Sequence, residues 1–441
     1  MNRNFFQNIY NDTTSALQYH QLWRFACSIL IGVLMVKAGW PKEKVAIYEL
    51  LFFAAHLLSF AWSTGVNNAL LAYYPTLNEG RKKILLFNAG LLLMILSILV
   101  AFVFWIFHES ILHLLTDHQE LPYTDWITLY LICSPATVLI QAIYLLRSES
   151  NKITHYTHAI FILQLGLIIT AIFVFGTVEA LVVCIAIWSL IKLIWLLMIL
   201  IRYSQFKFDS TLFRAFGWFA IPLILQFVLS NGMEYVDGII VNQYFSASDF
   251  PVFRYGSREL PITVILVVSL SSAMIPLAVK RLDSTLQELK SRTKKLMHVL
   301  FPLSIALMLT SPFIYTYVYS SDYIASAQLF NIYLLILITR ILLPQVVMYA
   351  RQRNGALFVM TFIELIINVS LSIWWAQSYG LAGIAYATVV ANICHTLMMI
   401  VYNKVSLKVF PTSYIPFRIY SIYVVLIIGA YLASTQMYSY G

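Results

Sequence analysis

Long apolar stretches, separated by short polar connections, run along the whole chain. A helix needs about 20 apolar residues to cross a membrane. The second and seventh stretches are less apolar than the others, which is typical of helices inside a bundle or beside a polar cavity. The pattern predicts spans at about 17–37, 45–74, 84–107, 122–146, 153–176, 179–201, 214–245, 251–279, 296–319, 326–350, 356–377, 382–403 and 415–435.

The positive charges are concentrated in alternate connections between the apolar stretches. Every second connection is basic, beginning with Arg81, Lys82 and Lys83, whereas the alternate connections carry almost no Lys or Arg apart from the first. Cytoplasmic loops retain positive charge during insertion, so the pattern predicts a cytoplasmic N-terminus in a bacterial inner membrane protein. The formal net charge of +9 is then an orientation signal with some attraction to anionic membrane lipids, and it does not indicate nucleic-acid binding.

The chain repeats itself with an offset of about 204 residues. Gly176 then aligns with Gly380, and Arg147 aligns with Arg351 at the end of the fourth and tenth spans. Six spans per repeat is an even number, so both halves insert the same way, as in transporters built from parallel repeats. The prediction is an all-α polytopic membrane protein with two six-helix transmembrane bundles, related by a pseudo-two-fold axis along the membrane normal, plus a thirteenth helix. Its parts are an N-lobe at 1–203, a cytoplasmic linker at 204–213, a C-lobe at 214–408 and a C-terminal helix at 409–441.

The longest basic connection, residues 280–295, has Leu282, Leu286 and Leu289 at helical spacing. This pattern favours an amphipathic helix lying on the membrane surface. Docking of a partner protein is the alternative.

Motifs for cofactors and energy-coupled chemistry are missing from the sequence. It has no phosphate-binding loop, dinucleotide fingerprint, paired-cysteine metal spacing or His-Glu-x-x-His motif. We therefore expect no cofactor and no enzymatic activity, and a driving force from an ion gradient, the membrane potential or the substrate gradient.

Ionisable residues inside the spans are the candidates for function, because each costs about 2.5–3.5 kcal/mol at the bilayer centre. Arg254 and Arg258 are four residues apart, which predicts one shared helical face. Counted from the turn between the seventh and eighth spans, Asp237 and Arg258 are expected at the same depth in the membrane. They are therefore either a structural ion pair or parts of a functional site. The embedded cations are Arg24, Lys192, Arg254, Arg258 and Arg340, and the anions are Glu49, Glu234, Asp237, Glu259 and Glu364.

Three stretches of the second half resemble the oligosaccharide-flippase branch of the multidrug/oligosaccharidyl-lipid/polysaccharide exporter superfamily, known as Wzx-type or O-antigen flippases. They are EYVDGIIVNQYFSASDFPVFRYG, YSSDYIASAQLFNIYLLI and IINVSLSIWWAQSYGLAGIAYATVVANI. Relatives often carry a basic residue after the Asp of the first motif, whereas Gly238 follows Asp237 here.

The resemblance implies a flippase for undecaprenyl-pyrophosphate-linked oligosaccharides. Arginine binds pyrophosphate through bidentate, charge-assisted hydrogen bonds. We therefore expect Arg24, Arg254, Arg258 and Lys192 to bind the substrate, with one lobe facing the other. We expect Asp237, Glu234 and Glu49 to couple transport to H⁺ or Na⁺ or to form ion pairs. The glycan would be an O-antigen, capsule or exopolysaccharide repeat unit.

Two other functions stay open at this point. One is a cation-coupled multidrug exporter of the same superfamily, since four of the five embedded anions lie in the C-lobe. The other is a membrane glycan polymerase or ligase, although the longest outside loop predicted, at about 108–121, is short for a catalytic loop.

Overall fold

The computed structural model describes Tyr10 and residues 12–116, 121–258 and 260–439. This part of the chain is almost entirely helical and contains thirteen helical segments long and apolar enough to cross a membrane. The predicted all-α fold with a thirteenth span is confirmed. The seven helices of the first half are α1 (Thr13–Lys37), α2 (Lys42–Tyr73), α3 (Glu79–Thr116), α4 (Thr124–Cys133), α5 (Leu139–Leu146), α6 (Ser150–Ile169) and α7 (Val178–Tyr203).

The described part of the second half contains ten α-helices. Of its predicted spans, the eighth and the tenth are divided into shorter helices, and the ninth is extended at its start. The helices are α8 (Ser210–Tyr244), α9 (Asp249–Gly256), α10 (Pro261–Lys280), α11 (Leu282–Val318), α12 (Ile324–Leu334), α13 (Leu337–Arg340), α14 (Gln345–Ala350), α15 (Asn354–Tyr379), α16 (Leu381–Val405) and α17 (Phe417–Ser439).

The chain packs as two compact units. The first comprises Met1–Tyr235 with Ser246–Ser248, and the second comprises Val236–Phe245 with Asp249–Gly441. The units divide α8, whereas the sequence predicts a boundary at the linker 204–213, and that lobe assignment stays a prediction. Within the first unit α8 lies very close to α2, because a Cβ on Gly65 would be 2.7 Å from the Ile224 Cα. Only glycine permits this helix contact.

The repeat that the sequence predicts is visible in the backbone. Gly176 and Gly380 both have a positive φ, 65° and 61°, but ψ is 20° at Gly176 and −145° at Gly380, so the two turns differ in backbone conformation. Ser148 and Gln352, also 204 positions apart, have φ of 56° and 55° although neither is glycine. The turn at Ser148 is therefore repeated at Gln352 in the second half, with the same backbone hydrogen-bond pattern.

The eighth span is interrupted, contrary to the continuous helix predicted over 251–279. Helix α9 ends at Gly256, and α10 begins at Pro261. Arg254 belongs to α9, but Arg258 lies beyond its end, so the prediction that the two share one helical face is wrong. Proline at the first position of a new helix, where no backbone donor is needed, favours a start there.

Residues 282–295 form the first part of α11, which continues without a break to Val318. The prediction of a separate helix lying on the membrane surface is therefore wrong. Leu286 and Leu289 are 3% and 0% exposed, and Lys290 donates a hydrogen bond to the Thr412 carbonyl at 2.7 Å. The apolar stripe is therefore buried by protein packing within the second unit, and not by lipid.

Helices α15 and α16 form the closest packing in the second unit. A Cβ on Gly383 would be 2.2 Å from the Trp375 carbonyl oxygen, so the two backbones are in direct contact. The buried positions of α15 are Glu364, Asn368, Ser372 and Ala376, each four residues after the last. Helix α15 thus turns a polar stripe inward and its apolar side chains outward, as expected of a membrane helix.

Candidate functional site

Two cations lie inside the spans of the first unit. Lys192, near the middle of α7, is 8% exposed, and its Nζ is 3.4 Å from the Ser134 hydroxyl and 3.7 Å from the centroid of the Trp188 ring. Arg24, near the middle of α1, is exposed. It lies close enough to Lys192 for its charge to act on that amine. We refer to Arg24 and Lys192 as the N-lobe cation pair.

Neither member of the pair has a carboxylate within 4.0 Å in the described part of the chain. Glu49, which the sequence analysis proposed for coupling or ion pairing, is 7% exposed on α2. It is not among the charges that act on Arg24 or Lys192. Among the described side chains, the charge of Arg24 therefore acts on Lys192 with no carboxylate close enough to offset it.

His20, one helical turn before Arg24, does not add a third positive charge. The amide nitrogen of Gln141 is 2.6 Å from His20 Nε2, and the Thr157 hydroxyl is 2.9 Å from Nδ1. An amide nitrogen can only donate, so Nε2 accepts and the imidazole is neutral, with its proton on Nδ1. These bonds hold the α1 turn that carries Arg24.

The second unit encloses a carboxylate instead. Asp237, 3% exposed on α8, accepts a hydrogen bond from the Thr388 hydroxyl at 2.7 Å and from the Tyr333 hydroxyl at 3.4 Å. The Asn368 amide donates to the Thr388 oxygen at 3.1 Å. Side chains from four helices, α8, α12, α15 and α16, thus converge on one acid.

A second buried acid lies one helical turn from this group. Glu364, 2% exposed on α15, is 2.7 Å from His395 Nδ1 and accepts a hydrogen bond from the Asn392 amide at 3.3 Å. Asn392 in turn accepts a hydrogen bond from the Thr339 hydroxyl at 2.5 Å. The buried acids of the second unit are therefore held in polar networks, in contrast to the cation pair of the first.

The predicted substrate residues Arg254 and Arg258 also belong to the second unit. Arg254 is half-buried on α9, and the Arg258 guanidinium is 5.4 Å from the centroid of the Tyr255 ring. Arg258, Arg340 and Tyr333 line one cavity of about 20 Å³, which is space for a single water. Tyr333 contacts both this cavity and Asp237.

The Glu234 side chain and Glu259 lie outside the described residues. Roles for Arg24, Lys192, Arg254 and Arg258 in substrate binding, and for Asp237, Glu234 and Glu49 in coupling or pairing, stay predictions.

Sequence reasoning missed Asn368, Thr388 and His395. A signal was available, because Glu364, Asn368 and Ser372 recur every four residues in an otherwise apolar stretch. That period places polar side chains on one face of a helix.

Comparison with solved structures shows the fold. The chain is similar to a lipid II flippase MurJ in an inward closed conformation, with a TM-score of 0.73, 16% identity, and coverage of 97% of this chain and 98% of that one. It is also similar to an inward-facing multidrug resistance MATE family transporter of the MOP superfamily, with a TM-score of 0.61, 13% identity, and coverage of 86% and 94%.

A third similar structure is a MOP superfamily transporter from Pyrococcus furiosus, described by the reverse polarity of its binding pocket. Its TM-score is 0.55 at 13% identity, with coverage of 92% of this chain and 98% of that one. No curated protein matches the sequence.

The family comparison agrees with the fold. Residues 43–328, more than half of the chain, match the family described as polysaccharide biosynthesis protein. The predicted resemblance to the multidrug/oligosaccharidyl-lipid/polysaccharide exporter superfamily is confirmed, and both fold and family resemble transporters and not enzymes. The chain therefore belongs to the polysaccharide biosynthesis protein family and has the fold of that exporter superfamily.

Proposed function

We propose that this protein moves a polyprenyl-pyrophosphate-linked oligosaccharide from the inner to the outer leaflet of a bacterial inner membrane by alternating access. The glycan would be an O-antigen, capsule or exopolysaccharide repeat unit, and the N-terminus would be cytoplasmic. Support comes from the family, from the fold shared with a lipid II flippase, and above all from the N-lobe cation pair.

The cation pair carries the proposal because its charges have no counter-charge in the described chain. A buried ion such as Lys192 is costly unless a partner offsets it, and the like charge of Arg24 close to it adds to that cost. A ligand with two or more negative charges supplies the missing partner. Pyrophosphate has that charge, and the Arg24 guanidinium binds its oxygens in a planar, bidentate arrangement that an ammonium cannot provide.

The second unit would add cations of its own. Arg254 and Arg258 are proposed to contact the same class of ligand, and Arg340 lines the cavity that Arg258 lines. Tyr333 lines the same cavity and donates to the buried Asp237, so an acid belongs to the surroundings of these cations. They would tune affinity, whereas Arg24 and Lys192 would provide most of the attraction for an anion.

The acids of the second unit are proposed to couple transport to an ion gradient. Asp237 is nearly inaccessible and is held by hydroxyl donors from two other helices. Binding of H⁺ or Na⁺ would neutralise this carboxylate and change what those helices contact. Such a link between ion binding and helix packing is what alternating access requires.

A cation-coupled multidrug exporter fits the first unit less well. A cationic drug would meet Arg24 and Lys192, which repel it, and the described chain offers no acid beside them. In a deletion strain, unchanged sensitivity to cationic dyes is the expected result.

Lipid analysis of a deletion strain tests the proposal. Lipid-linked repeat units should accumulate on the cytoplasmic leaflet, and wild-type protein should clear them. The Arg24→Ala variant, made in normal amounts, should fail to clear them, whereas Arg24→Lys should clear them in part. Normal surface glycan in the deletion strain would overturn the proposal. Reporter fusions at Gln352 and Gly441 should lie on opposite sides of the membrane, with Gln352 inside.

A further inference from the structure

A basic cavity lies at one end of the first unit, away from the N-lobe cation pair. It has a volume of about 290 Å³, close to the roughly 300 Å³ of the smaller ligand sites in proteins. Four helix ends form it: the first turns of α3 and α6 and the last turns of α5 and α7. Its lining is Lys83, Arg147, Glu149, Lys152, Arg202, Tyr203 and Ser204.

Glu149 and Tyr203 organise the centre of this cavity. The Tyr203 hydroxyl donates to Glu149 Oε2 at 2.9 Å and accepts a hydrogen bond from Lys152. Lys152 Nζ and Arg147 Nε lie 3.0 and 3.5 Å from Glu149 Oε1. Burial raises the pKa of Glu149, but the bonds from Lys152 and Tyr203 outweigh it, and the net pKa is lowered. The carboxylate is therefore ionised at neutral pH and fixes two cations in place.

Charge in the cavity is not balanced. One carboxylate faces four cations, and neither Lys83 nor Arg202 has a carboxylate within 4.0 Å in the described chain. The Arg147 guanidinium is 4.3 Å from the centroid of the Tyr203 ring, and the Arg202 guanidinium is 5.6 Å from the same centroid. A rigid aromatic side chain thus gathers two guanidinium groups around an open space.

The linker that follows α7 is hydrogen-bonded to the first turns of α3. The backbone N–H of Gln205 donates to the Lys83 carbonyl at 3.1 Å, and the side-chain amide of Asn88 donates to the Lys207 carbonyl at 3.2 Å. These bonds hold Lys83 and Arg202 on adjoining elements, so the cavity is built and not a chance gathering of mobile side chains.

The second half has no counterpart to this arrangement. At an offset of 204, Arg147 corresponds to Arg351, but Glu149 corresponds to Arg353 and Lys152 to Ala356. Arg351 and Arg353 are exposed. Membrane orientation explains positive charge in both of these cytoplasmic loops. It does not explain why, in the first half alone, a carboxylate and a tyrosine hold the cations in place.

We propose that this cavity binds the phosphate-bearing headgroup of an anionic lipid at the membrane surface. The loop charges assign this surface to the cytoplasmic leaflet, where basic pockets between transmembrane helices bind anionic headgroups. Two sources share this chemistry: an anionic phospholipid, and the pyrophosphate of a polyprenyl carrier. The second source rests on the proposed function, and the first does not.

Lipid binding to the detergent-purified full chain tests the site, by native mass spectrometry with cardiolipin, polyprenyl pyrophosphate and zwitterionic phosphatidylethanolamine. The pocket variant is Lys83→Gln/Arg202→Gln, which leaves the Glu149–Tyr203 pair intact. The control is Arg351→Gln/Arg353→Gln, which removes the same charge outside the cavity. The pocket variant should bind a phosphate-bearing lipid at least about tenfold more weakly, and the control should bind like wild type.

Each outcome decides a question. Stronger binding of cardiolipin assigns the site to a phospholipid, stronger binding of polyprenyl pyrophosphate assigns it to the carrier, and inorganic pyrophosphate should compete in both cases. Equal losses in the two double variants, or no preference over phosphatidylethanolamine, would overturn the proposal. If the pocket variant fails to fold, Arg202→Lys keeps the charge and should still weaken binding. Because the assay measures no transport, its failure would leave the proposed function untouched.

Discussion

The Thr388 hydroxyl donates a 2.7 Å hydrogen bond to the Asp237 carboxylate, joining α16 to α8 inside the second unit. Asp237 lies seven residues before the end of α8, about 10 Å along the helix axis. A carboxylate at that depth needs donors, and Thr388 is closer to it than Tyr333 is. The bond therefore connects a titratable group to the packing of two spans.

Replacing Thr388 with valine should destabilise the protein. Valine keeps the shape but removes the donor, and a buried acceptor that loses its donor costs about 1–3 kcal/mol. Thr361→Val is the matched control, because the Thr361 hydroxyl bonds only to the Leu357 carbonyl of its own helix. Thermal unfolding in detergent should show a lower midpoint for Thr388→Val alone. Adding Asp237→Asn to Thr388→Val should recover part of the loss, and equal effects of the two valine variants would refute the assignment.

The relation between Arg258 and Asp237 can be decided with a double variant. If the two form a structural ion pair, Arg258→Gln alone strands a buried charge at about 3–5 kcal/mol and lowers the amount of folded protein. Adding Asp237→Asn should then restore folding. Restored folding with restored export would remove Arg258 from the substrate site. Restored folding with export still absent would support its binding role, as measured by protein level and by surface glycan in the same strain.

Close helix packing at Gly383 gives a prediction about stability. The nearest neighbours of an added methyl group are backbone atoms of Trp375, which cannot rotate away as a side chain would. Gly383→Ala should therefore separate α15 from α16 and cost about 1–3 kcal/mol or more. Gly355→Ala is the control, since nothing lies within 4 Å of its Cβ position, and it should be neutral or slightly stabilising. Similar midpoints for both variants would show that the close approach is not required.

Much of the fold was predictable from the sequence because membrane insertion imposes a strong length and charge pattern. The thirteen spans and the repeat follow from that pattern, and Ser148 and Gln352, 204 positions apart, form equivalent turns in the two halves. The break after Gly256 was not predictable from hydropathy. At this break a Cβ on Gly256 would be 2.6 Å from the Ser326 carbonyl oxygen, a close contact that hydropathy does not report.

The site was predictable as a set of residue types but not as a set of contacts. Embedded charges can be read from the sequence, as Arg24 and Lys192 were. Which charges meet depends on helix rotation, and an apolar sequence hardly constrains the rotation of a lipid-facing helix. That is why the proximity of Lys192 to Arg24 and the bond between Glu364 and His395 emerge only from the structure.

Lys192 gives the sharpest test, because stability and function should change in opposite directions. Lys192 is 8% exposed and near the Arg24 charge, with no carboxylate beside it in the described chain. Lys192→Met fills a similar volume and removes the repulsion, so unfolding in detergent without substrate should move up by at least about 2 °C. Export should fall, because the anion loses one of its two cations.

An exposed lysine supplies the control for this variant. Lys294→Met, in the basic first part of α11, removes the same charge where solvent screens it and should change neither midpoint nor export. Adding the lipid-linked substrate should stabilise wild type more than Lys192→Met, since a ligand stabilises in proportion to its affinity for the folded state. A lower midpoint for Lys192→Met with export intact would mean that Lys192 is a structural residue, and it would remove the main support for an anion site in the first unit.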